Sequence, residues 1–594
     1  MDIPLSPPSS LHTLTPKLKK AVQLRVRNNL SSIITRLSAS VFYRESSALE
    51  SFRHALCIAA VASTSSFTES NTDTHLEAFY SSVPLTSYDA YSTYVSKFLQ
   101  ADNCLISDVR DLLSPGLPIF IAHSSGTSGA APKHFLKYPD PQYEIQPWDC
   151  SDASKKTICR FNSLRVNRVI DIADADGNIV DSFPVSTVSS CRRRSQLAIG
   201  AKDDDKLLNQ RAKFWTTPFA VSLLPSYHSN IYMTLFFTIM DSALDLMSAP
   251  YSTFLYDAIR VLEENWEAMV HAIEHGYLPP QPDLGDYRTY LETFVTPNPE
   301  RAAELRKIEV GAEGWLKKIW PSLNVVTVIL SGQYGRLLPK LRDHFGPSVS
   351  LQCPRHGSTE CRVGVGYGVD DTNLFCLNYH GHLELLDIEK QRAPQNLSQP
   401  WEVVTGKKYE IVATTTDGLW RYMLGDIVEA AGFSPTDGQL LYRYCGRNGV
   451  NFCIAGEFVS ESLLQQIMAS LSDTLGSVLE FTTEVDDRKL VRAYGFFVEL
   501  EGKTGPAHLA LAQVQDSLLL HEGYRKFYDM GRIADPTIRV VAPGTFQAYR
   551  AWKIQTTGCA AGQVKVPTTI VDLATMEWLA KRVVYEVQVL GNDG

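Results

Sequence analysis

Apolar positions recur at helical spacing early in the chain. Leu18, Val22, Val26, Leu30, Ile33, Ile34 and Leu37 fall on one face of an amphipathic helix. Thr15-Pro16 supplies its N-cap and a proline at the first helical position. A second helix is expected from Ser252, where Leu255, Ala258, Ile259, Leu262, Trp266, Met269, Val270 and Ile273 share a face and Gly276 ends it. Both helices read as packing scaffold. Short β-branched runs stand elsewhere. Val325 to Leu330 is apolar throughout and stops at Ser331-Gly332. Tyr409 to Ala413 is another such run, followed by the turn-forming Thr414-Thr415-Thr416-Asp417-Gly418. Strands alternating with helices predict an α/β chain with helix-covered sheets. From Phe219 to Met240 the aromatic and aliphatic residues read first as core, with an apolar pocket as the alternative. The stretch from Asp149 to Asp204 is polar and irregular and carries Arg192-Arg193-Arg194, so a solvated surface insertion is expected there.

Composition narrows the picture. The chain has 594 residues, too many for one simple core, and a formal net charge of -9. An acidic balance disfavours nucleic acid as the main partner, since phosphate backbones need a basic face. It leaves room for a nucleotide held locally by backbone amides and one or two cations. The 11 cysteines form no Cys-x-x-Cys pair and read as reduced thiols of an intracellular protein. The first residues lack the basic-then-apolar order of a secretory signal, and Ile231 to Met240 is too short to span a bilayer. A cytoplasmic protein with no membrane contact is expected.

Four segments suggest chemistry. The apolar run Leu117 to Ala122 leads into His123-Ser124-Ser125-Gly126-Thr127-Ser128-Gly129, with Lys133 just beyond. A loop of glycine and hydroxyl residues can wrap a phosphate with its N–H groups, although a plain turn has the same composition. It is neither a Walker loop nor a nucleophile elbow, because the spacings differ. His356-Gly357-Ser358-Thr359-Glu360 offers a hydroxyl for a phosphate and a carboxylate for Mg²⁺, which prefers one or two carboxylates plus phosphate oxygens. Asp426 ends the mostly apolar Gly418 to Gly425, where it suits ribose hydroxyls or merely a turn. Lys565 lies between valines in Gln563-Val564-Lys565-Val566-Pro567 and is otherwise an ordinary edge lysine. Gly364-Val365-Gly366-Tyr367-Gly368 lacks the spacing of a dinucleotide loop.

Taken together and in order, these segments resemble the plant-type GH3 family of acyl acid amido synthetases. Ser124-Ser125-Gly126-Thr127-Ser128 is similar to the family's S-S-G-T-S loop, and Ser358-Thr359-Glu360 to the end of its second motif. Gly406-Lys407-Lys408-Tyr409-Glu410-Ile411-Val412 with Gly418-Leu419-Trp420-Arg421-Tyr422 and Gly425-Asp426 resembles the third. Val83 to Tyr88, Ser331 to Tyr334, Pro543 to Phe546 and Gln563 to Pro567 extend the resemblance over nearly the whole chain. It implies a large N-terminal adenylate-forming domain, residues 1–443, and a smaller, mobile C-terminal α+β domain, residues 444–594. It also implies an ATP-dependent carboxylate–amine ligase that adenylates a small acid and passes the acyl group to an amine, such as an amino acid. Ser124, Ser125, Gly126, Thr127, Ser358, Thr359, Asp426 and Arg447 would then contact the nucleotide. Glu360 would hold Mg²⁺, and Lys565 would reach the reacting phosphate from the small domain. The expected partners are ATP, the acid and the amine, with the chain acting as a monomer; no acyl-pocket residues are assigned.

The chain also departs from the pattern. Ala130-Ala131-Pro132 replaces the usual charged residues, His356 stands at an aromatic position where it could stack on adenine, and Met423 and Phe458 replace basic residues. Pro132 and the long Asp149–Asp204 segment imply a divergent branch with a different acyl pocket. Two alternatives stay open: a ligase that passes the acyl group to a thiol such as coenzyme A, and a family member that binds nucleotide or acid without turnover.

Overall fold

The computed structural model describes residues 10–62, 70–100, 103–124, 133–140, 150, 156–368, 371–378, 380–447, 451–455, 457, 459–502, 507–557 and 564–588. The first helix, Pro16–Leu37, is capped by the Thr15 hydroxyl and buries Val22, Val26, Leu30, Ile33, Ile34 and Leu37. The helix expected from Ser252 is instead two, Ser252–Glu264 and Trp266–His275, because Asn265 leaves helical geometry at φ −115°. The apolar face continues across the break, and that continuity hides it in the sequence. Gly276 closes the second helix in the left-handed region.

The large N-terminal unit holds three sheets. A parallel sheet runs Thr157–Arg160, Leu244–Tyr251, Val325–Ile329, Ser350–Gln352. A mixed sheet is ordered Asn103–Leu105, Arg168–Ala173, Ile179–Ser186, Phe120–His123, His134–Lys137. The third has eight antiparallel strands and centres on the twelve-residue strand Tyr422–Phe433, flanked by Lys408–Thr414 and Leu440–Arg447. The helix Tyr227–Met240 is buried on nearly all sides, so the apolar run from Phe219 to Met240 serves as core.

The stretch from Asp149 to Asp204 is not a surface insertion. It supplies the strand Thr157–Arg160 to the parallel sheet, two strands to the mixed sheet, and the helix Val188–Gln196. Ile170, Ile172, Phe183 and Val185 are buried there at alternate positions, so each strand turns only a few side chains into the core. Arg194 is 1% exposed and donates to Leu164 O (2.9 Å) and Asp204 Oδ1 (2.5 Å), so the arginine triplet is not a solvated run.

The small C-terminal unit is α+β. Strands Ser477–Asp486, Ala493–Glu501, Ala534–Val541 and Val583–Glu586 form one sheet, with helices including Glu461–Ala469, His508–Leu519 and Thr545–Thr557 packed around it. It has its own core of Phe452, Leu464, Phe481, Tyr494, Phe496 and neighbours. Among the described residues no helix is long and apolar enough to cross a membrane, and the described cysteines are free.

The segment before Asp426 is pinned by a buried charge. Arg421 is 1% exposed and adopts φ +39°, a costly conformation for a bulky residue. Its guanidinium forks onto both Glu384 oxygens (2.8 and 2.9 Å), donates to Val83 O (2.7 Å) and Tyr80 O (3.2 Å), and lies 4.7 Å from the Phe79 ring centre. Burial alone would raise the Glu384 carboxyl; His382 and Arg421 override it and hold it to about 2. Thr86 braces the same turn through Trp420 O (2.6 Å) and its own N–H to Arg421 O (2.9 Å). Gly418 must be glycine, since a Cβ there would stand 2.1 Å from Leu113 O. Glu384→Gln should therefore destabilise the chain by about 3–5 kcal/mol, the usual cost of stranding one partner of a buried pair. Urea unfolding of the two proteins measures it.

Candidate active site

Asp426 projects from the long central strand and is 5% exposed. One oxygen takes Arg447 Nε at 3.0 Å, from the neighbouring strand Leu440–Arg447, where the two residues pair in register. The other meets His356 Nε2 at 3.2 Å. A carboxylate only accepts, so His356 presents a proton on Nε2, and its Nδ1 lies 3.0 Å from the Tyr442 hydroxyl. Gly364 leaves room for that hydroxyl; a Cβ would lie 2.1 Å from it. Burial raises the Asp426 carboxyl, but the His356 hydrogen bond and then the Arg447, His356 and Lys565 charges hold it below the usual range. His356 is thus engaged by Asp426 and Tyr442 through its two ring nitrogens.

The strand Arg355–Gly357 carries a bulge between His356 and Gly357, which turns the chain into Ser358–Glu360. Ser358 N–H to Cys361 O (2.9 Å) closes that turn. Thr359 is partly buried beside it and Glu360 is 7% exposed. The Glu360 charge acts on both Arg447 and Tyr422. Its backbone is fixed by Lys137 Nζ, which donates to Glu360 O (2.6 Å) and to Asp417 (2.8 Å).

The strands Phe120–His123 and His134–Lys137 form a hairpin, His123 opposite His134. Ser124 N–H donates to Lys133 O (2.7 Å) and Lys133 N–H to the Ser124 hydroxyl (2.9 Å) at its open end. Ser125, Gly126, Thr127 and Ser128 lie outside the described residues, as does Phe458.

Lys565 arrives from the small unit. It is partly buried, its ammonium 5.6 Å from the Tyr334 ring centre, and it feels the charges of Arg447, Asp426 and Glu461. Burial, then Arg447, lowers its pKa; the two carboxylates oppose that shift. Sequence reasoning missed Glu461, Tyr334 and Tyr444. Tyr334 follows the strand Val325–Ile329, and the Tyr444 ring lies 5.0 Å from His356. Only the Ser331–Tyr334 echo pointed toward one of them.

The two units meet through buried charge. Arg550, from the helix Thr545–Thr557, donates to Asp257 of the large unit (2.5 and 3.0 Å) and to Glu480 of its own unit (2.7 Å). Tyr227 also donates to Asp257 (3.1 Å). Tyr251 hydrogen-bonds Val564 O, one residue before Lys565, and Lys340 and Tyr256 both engage Glu501.

A large helix-covered α/β unit and a small α+β unit, sharing a charged junction, make the two-part scaffold of acyl acid amido synthetases. The solved GH3.15 acyl acid amido synthetase superposes with a TM-score of 0.72 at 22% identity, covering 96% of this chain and 95% of that one. Residues 57–350, 374–443 and 461–573 match the GH3 family N-terminal, central and C-terminal domains, and the chain belongs to the GH3 family. It is 28% identical over 360 residues to the indole-3-acetic acid-amido synthetase GH3.8 of Oryza sativa subsp. indica, covering 57% of this chain and 59% of that protein. It is 24% identical over 531 residues to the jasmonoyl–L-amino acid synthetase GH3.5 of Oryza sativa subsp. japonica, covering 83% and 87%. The first of these matches thus spans about three fifths of the relative's length.

The junction carries a pH dependence. One guanidinium serves two buried carboxylates, and burial raises Glu480 to about 7 despite Arg550. The folded chain therefore keeps a proton that the unfolded chain releases near 4.5, so stability falls as pH rises from about 4.5 to about 7. Glu480→Gln should lack this component. The melting temperature of wild type minus variant is expected to fall across that window, read by scanning fluorimetry.

Proposed function

We propose that the chain is an ATP-dependent acyl acid amido synthetase, which adenylates a small carboxylic acid and transfers the acyl group to an amino acid. The observation that carries this reading is the action of the Lys565 charge, from the small unit, on Asp426 of the large one and on Arg447, at the end of the strand that crosses between them. A nucleotide gripped from both units fits that arrangement. The relatives support the acid and the amine as substrates through the names they bear.

In this reading Asp426, aligned by His356 and Arg447, accepts the ribose hydroxyls. Ser124 to Thr127 donate to phosphate oxygens, and Ser358 and Thr359 face the nucleotide. Among the described residues no group of three or more His, Cys, Asp and Glu forms a metal cage, whereas Glu360 is a single buried carboxylate at the site. That donor set suits Mg²⁺, which takes its remaining ligands from phosphate and water. When bound, the ion would neutralise phosphate charge.

The chemistry follows from leaving groups. A carboxylate resists attack because of its charge. Its oxygen attacks the α-phosphorus of ATP, the bond to pyrophosphate breaks, and a mixed anhydride remains. Lys565 sits where negative charge grows on the α-phosphate and stabilises it. The amine nitrogen, entering as the free base, then bonds the acyl carbon, the bond to AMP breaks, and the nitrogen loses a proton to solvent. We take the units to divide near residues 443 and 444, the strand Leu440–Arg447 crossing that point, with motion between them separating the two steps.

Lys565→Ala should lower acid-dependent ATP–pyrophosphate exchange by about two to three orders of magnitude, the usual loss for one oxyanion-type contact. Exchange at the wild-type rate removes Lys565 from the mechanism. Asp426→Ala should instead raise the KM for ATP; an unaltered KM counts against the ribose role. Product mass with an amino acid or with coenzyme A names the acceptor.

A further inference from the structure

Lys565 stands on a strap with little regular bonding of its own. Residues 564–570 lie outside the helices and sheet strands, and an isolated bridge from Thr483 to Thr569 joins them to the strand Ser477–Asp486. Val564, Val566, Thr568 and Ile570 are buried, and Lys565, Pro567 and Thr569 between them are less so. An extended chain alternates its side chains between two faces, so Thr568 shares a face with the valines and Lys565 takes the other. Point contacts hold the strap. Tyr251 of the large unit donates to Val564 O, and the Thr482 hydroxyl donates to Pro567 O (2.6 Å). Thr483 N–H donates to Thr568 O (2.8 Å), and Ile570 N–H returns to Thr483 O (2.8 Å).

A further contact ties the strap to the helix Glu461–Ala469. The Thr568 hydroxyl donates to Glu461 Oε1 at 2.5 Å. Gln465, one turn along that helix, donates its amide to the same oxygen (3.2 Å) and to Thr568 Oγ1 (3.3 Å), which closes a triangle. Thr568 is 2% exposed, and a hydrogen bond to a carboxylate is strengthened where water is excluded. Glu461 is the first residue of its helix, after the Ser460 cap, where the helix dipole favours a negative charge. The same helix end abuts the strand that carries Arg447. Gly446 has φ +128°, and a Cβ there would lie 3.7 Å from Cβ of Ser462, the residue after Glu461. Gly446 and Arg447 pair in turn with Ile427 and Asp426. The triangle thus links the strap bearing Lys565 to a helix end seated on the strands bearing Asp426 and Arg447.

We propose that Glu461 is a positioning residue for Lys565: by accepting the Thr568 hydroxyl it fixes the strap to the helix end seated on the Asp426–Arg447 strand pair. The ammonium, three residues before Thr568, is thereby held in register with the nucleotide. The proposal rests on the amide-synthetase reading for what Lys565 does. Glu461 touches no substrate, and no bond of the reaction forms or breaks at it. The Tyr251, Thr482 and Thr483 contacts go to main-chain atoms of the strap. This one uses the Thr568 side chain, so a single change of similar shape removes it.

Thr568→Val keeps the outline of the side chain and deletes its hydroxyl. At saturating ATP it should slow acid-dependent ATP–pyrophosphate exchange by about tenfold, as expected for losing one hydrogen bond to a charged group. The KM for ATP should stay within about twofold, because the tie acts on the reacting phosphate through Lys565. Thr568→Ser should regain most of the rate. Glu461→Ala should match the valine variant, and Glu461→Gln, whose amide oxygen still accepts, should regain part of the loss. A double-mutant cycle separates positioning from general loosening: in a Lys565→Ala background Thr568→Val should cost nothing further. Wild-type exchange in Thr568→Val overturns the proposal, as does a full tenfold loss added to Lys565→Ala. A serine variant as slow as the valine one does the same. Hydrogen–deuterium exchange of the full chain reads the tie without turnover. Peptides covering residues 564–570 should exchange about tenfold faster in Thr568→Val, and equal exchange removes the tie whatever the chemistry. A wild type with no pyrophosphate exchange on any acid sinks the amide-synthetase reading instead, while the deuterium result still decides whether Thr568 holds the strap.

Discussion

The buried fork between Arg421 and Glu384 is the constraint on which the geometry of the site depends. It holds a bulky residue at φ +39° against its own preference and ties the N-terminal helices to the eight-stranded sheet through Tyr80 and Val83. The strand that leaves this anchor reaches Asp426 five residues later. A slip of one residue would turn Asp426 to the other face of the sheet. The anchor therefore sets the register of the central carboxylate before any ligand is present. His356, Tyr442 and Arg447 then fix its direction.

The junction works by contrast with that rigid anchor. Its charges come from two units, and each unit alone holds only part of the set. Asp426 and Glu360 belong to the large unit, Glu461 and Lys565 to the small one, and Arg447 ends the strand that crosses between them. Partial burial strengthens every attraction among them and makes each unpaired charge costly. The Asp257–Arg550–Glu480 contact adds a second buried polar group across the boundary, away from Asp426. Docking of the small unit thus draws on buried charge from both sides of the boundary.

Much of the fold was legible because it is written in local patterns. The Thr15 cap and the stripe from Leu18 to Leu37 specify a helix whatever surrounds them, and the apolar runs at Val325 and Tyr409 became strands. The missed break at Asn265 has no apolar signature, since Trp266 resumes the same face. The strands between Asp149 and Asp204 were missed because few of their positions are buried and their partners lie far along the chain. In the site, the resemblance led to Asp426 and Lys565, which the structure brings together. Glu461 and Tyr444 could not be found by pattern, because their roles arise from side chains meeting across sheets and units. The same limit applies to Arg193. In sequence it is one of three adjacent arginines, and only folding separates it from the fully buried Arg194.

The hairpin of Phe120–His123 and His134–Lys137 has a consequence for how such a chain can diversify. Its stalk is clamped at one end by the reciprocal Ser124–Lys133 hydrogen bonds and at the other by Lys137, which grips Asp417 and the Glu360 carbonyl. Between the clamped residues the sequence runs from Ser125 to Pro132. Ala130, Ala131 and Pro132, where this sequence parts from its kin, fall inside that span. The stalk behaves as a mount, so the sequence between its clamped ends can change or lengthen over generations while Lys137 keeps its hold on the Glu360 backbone.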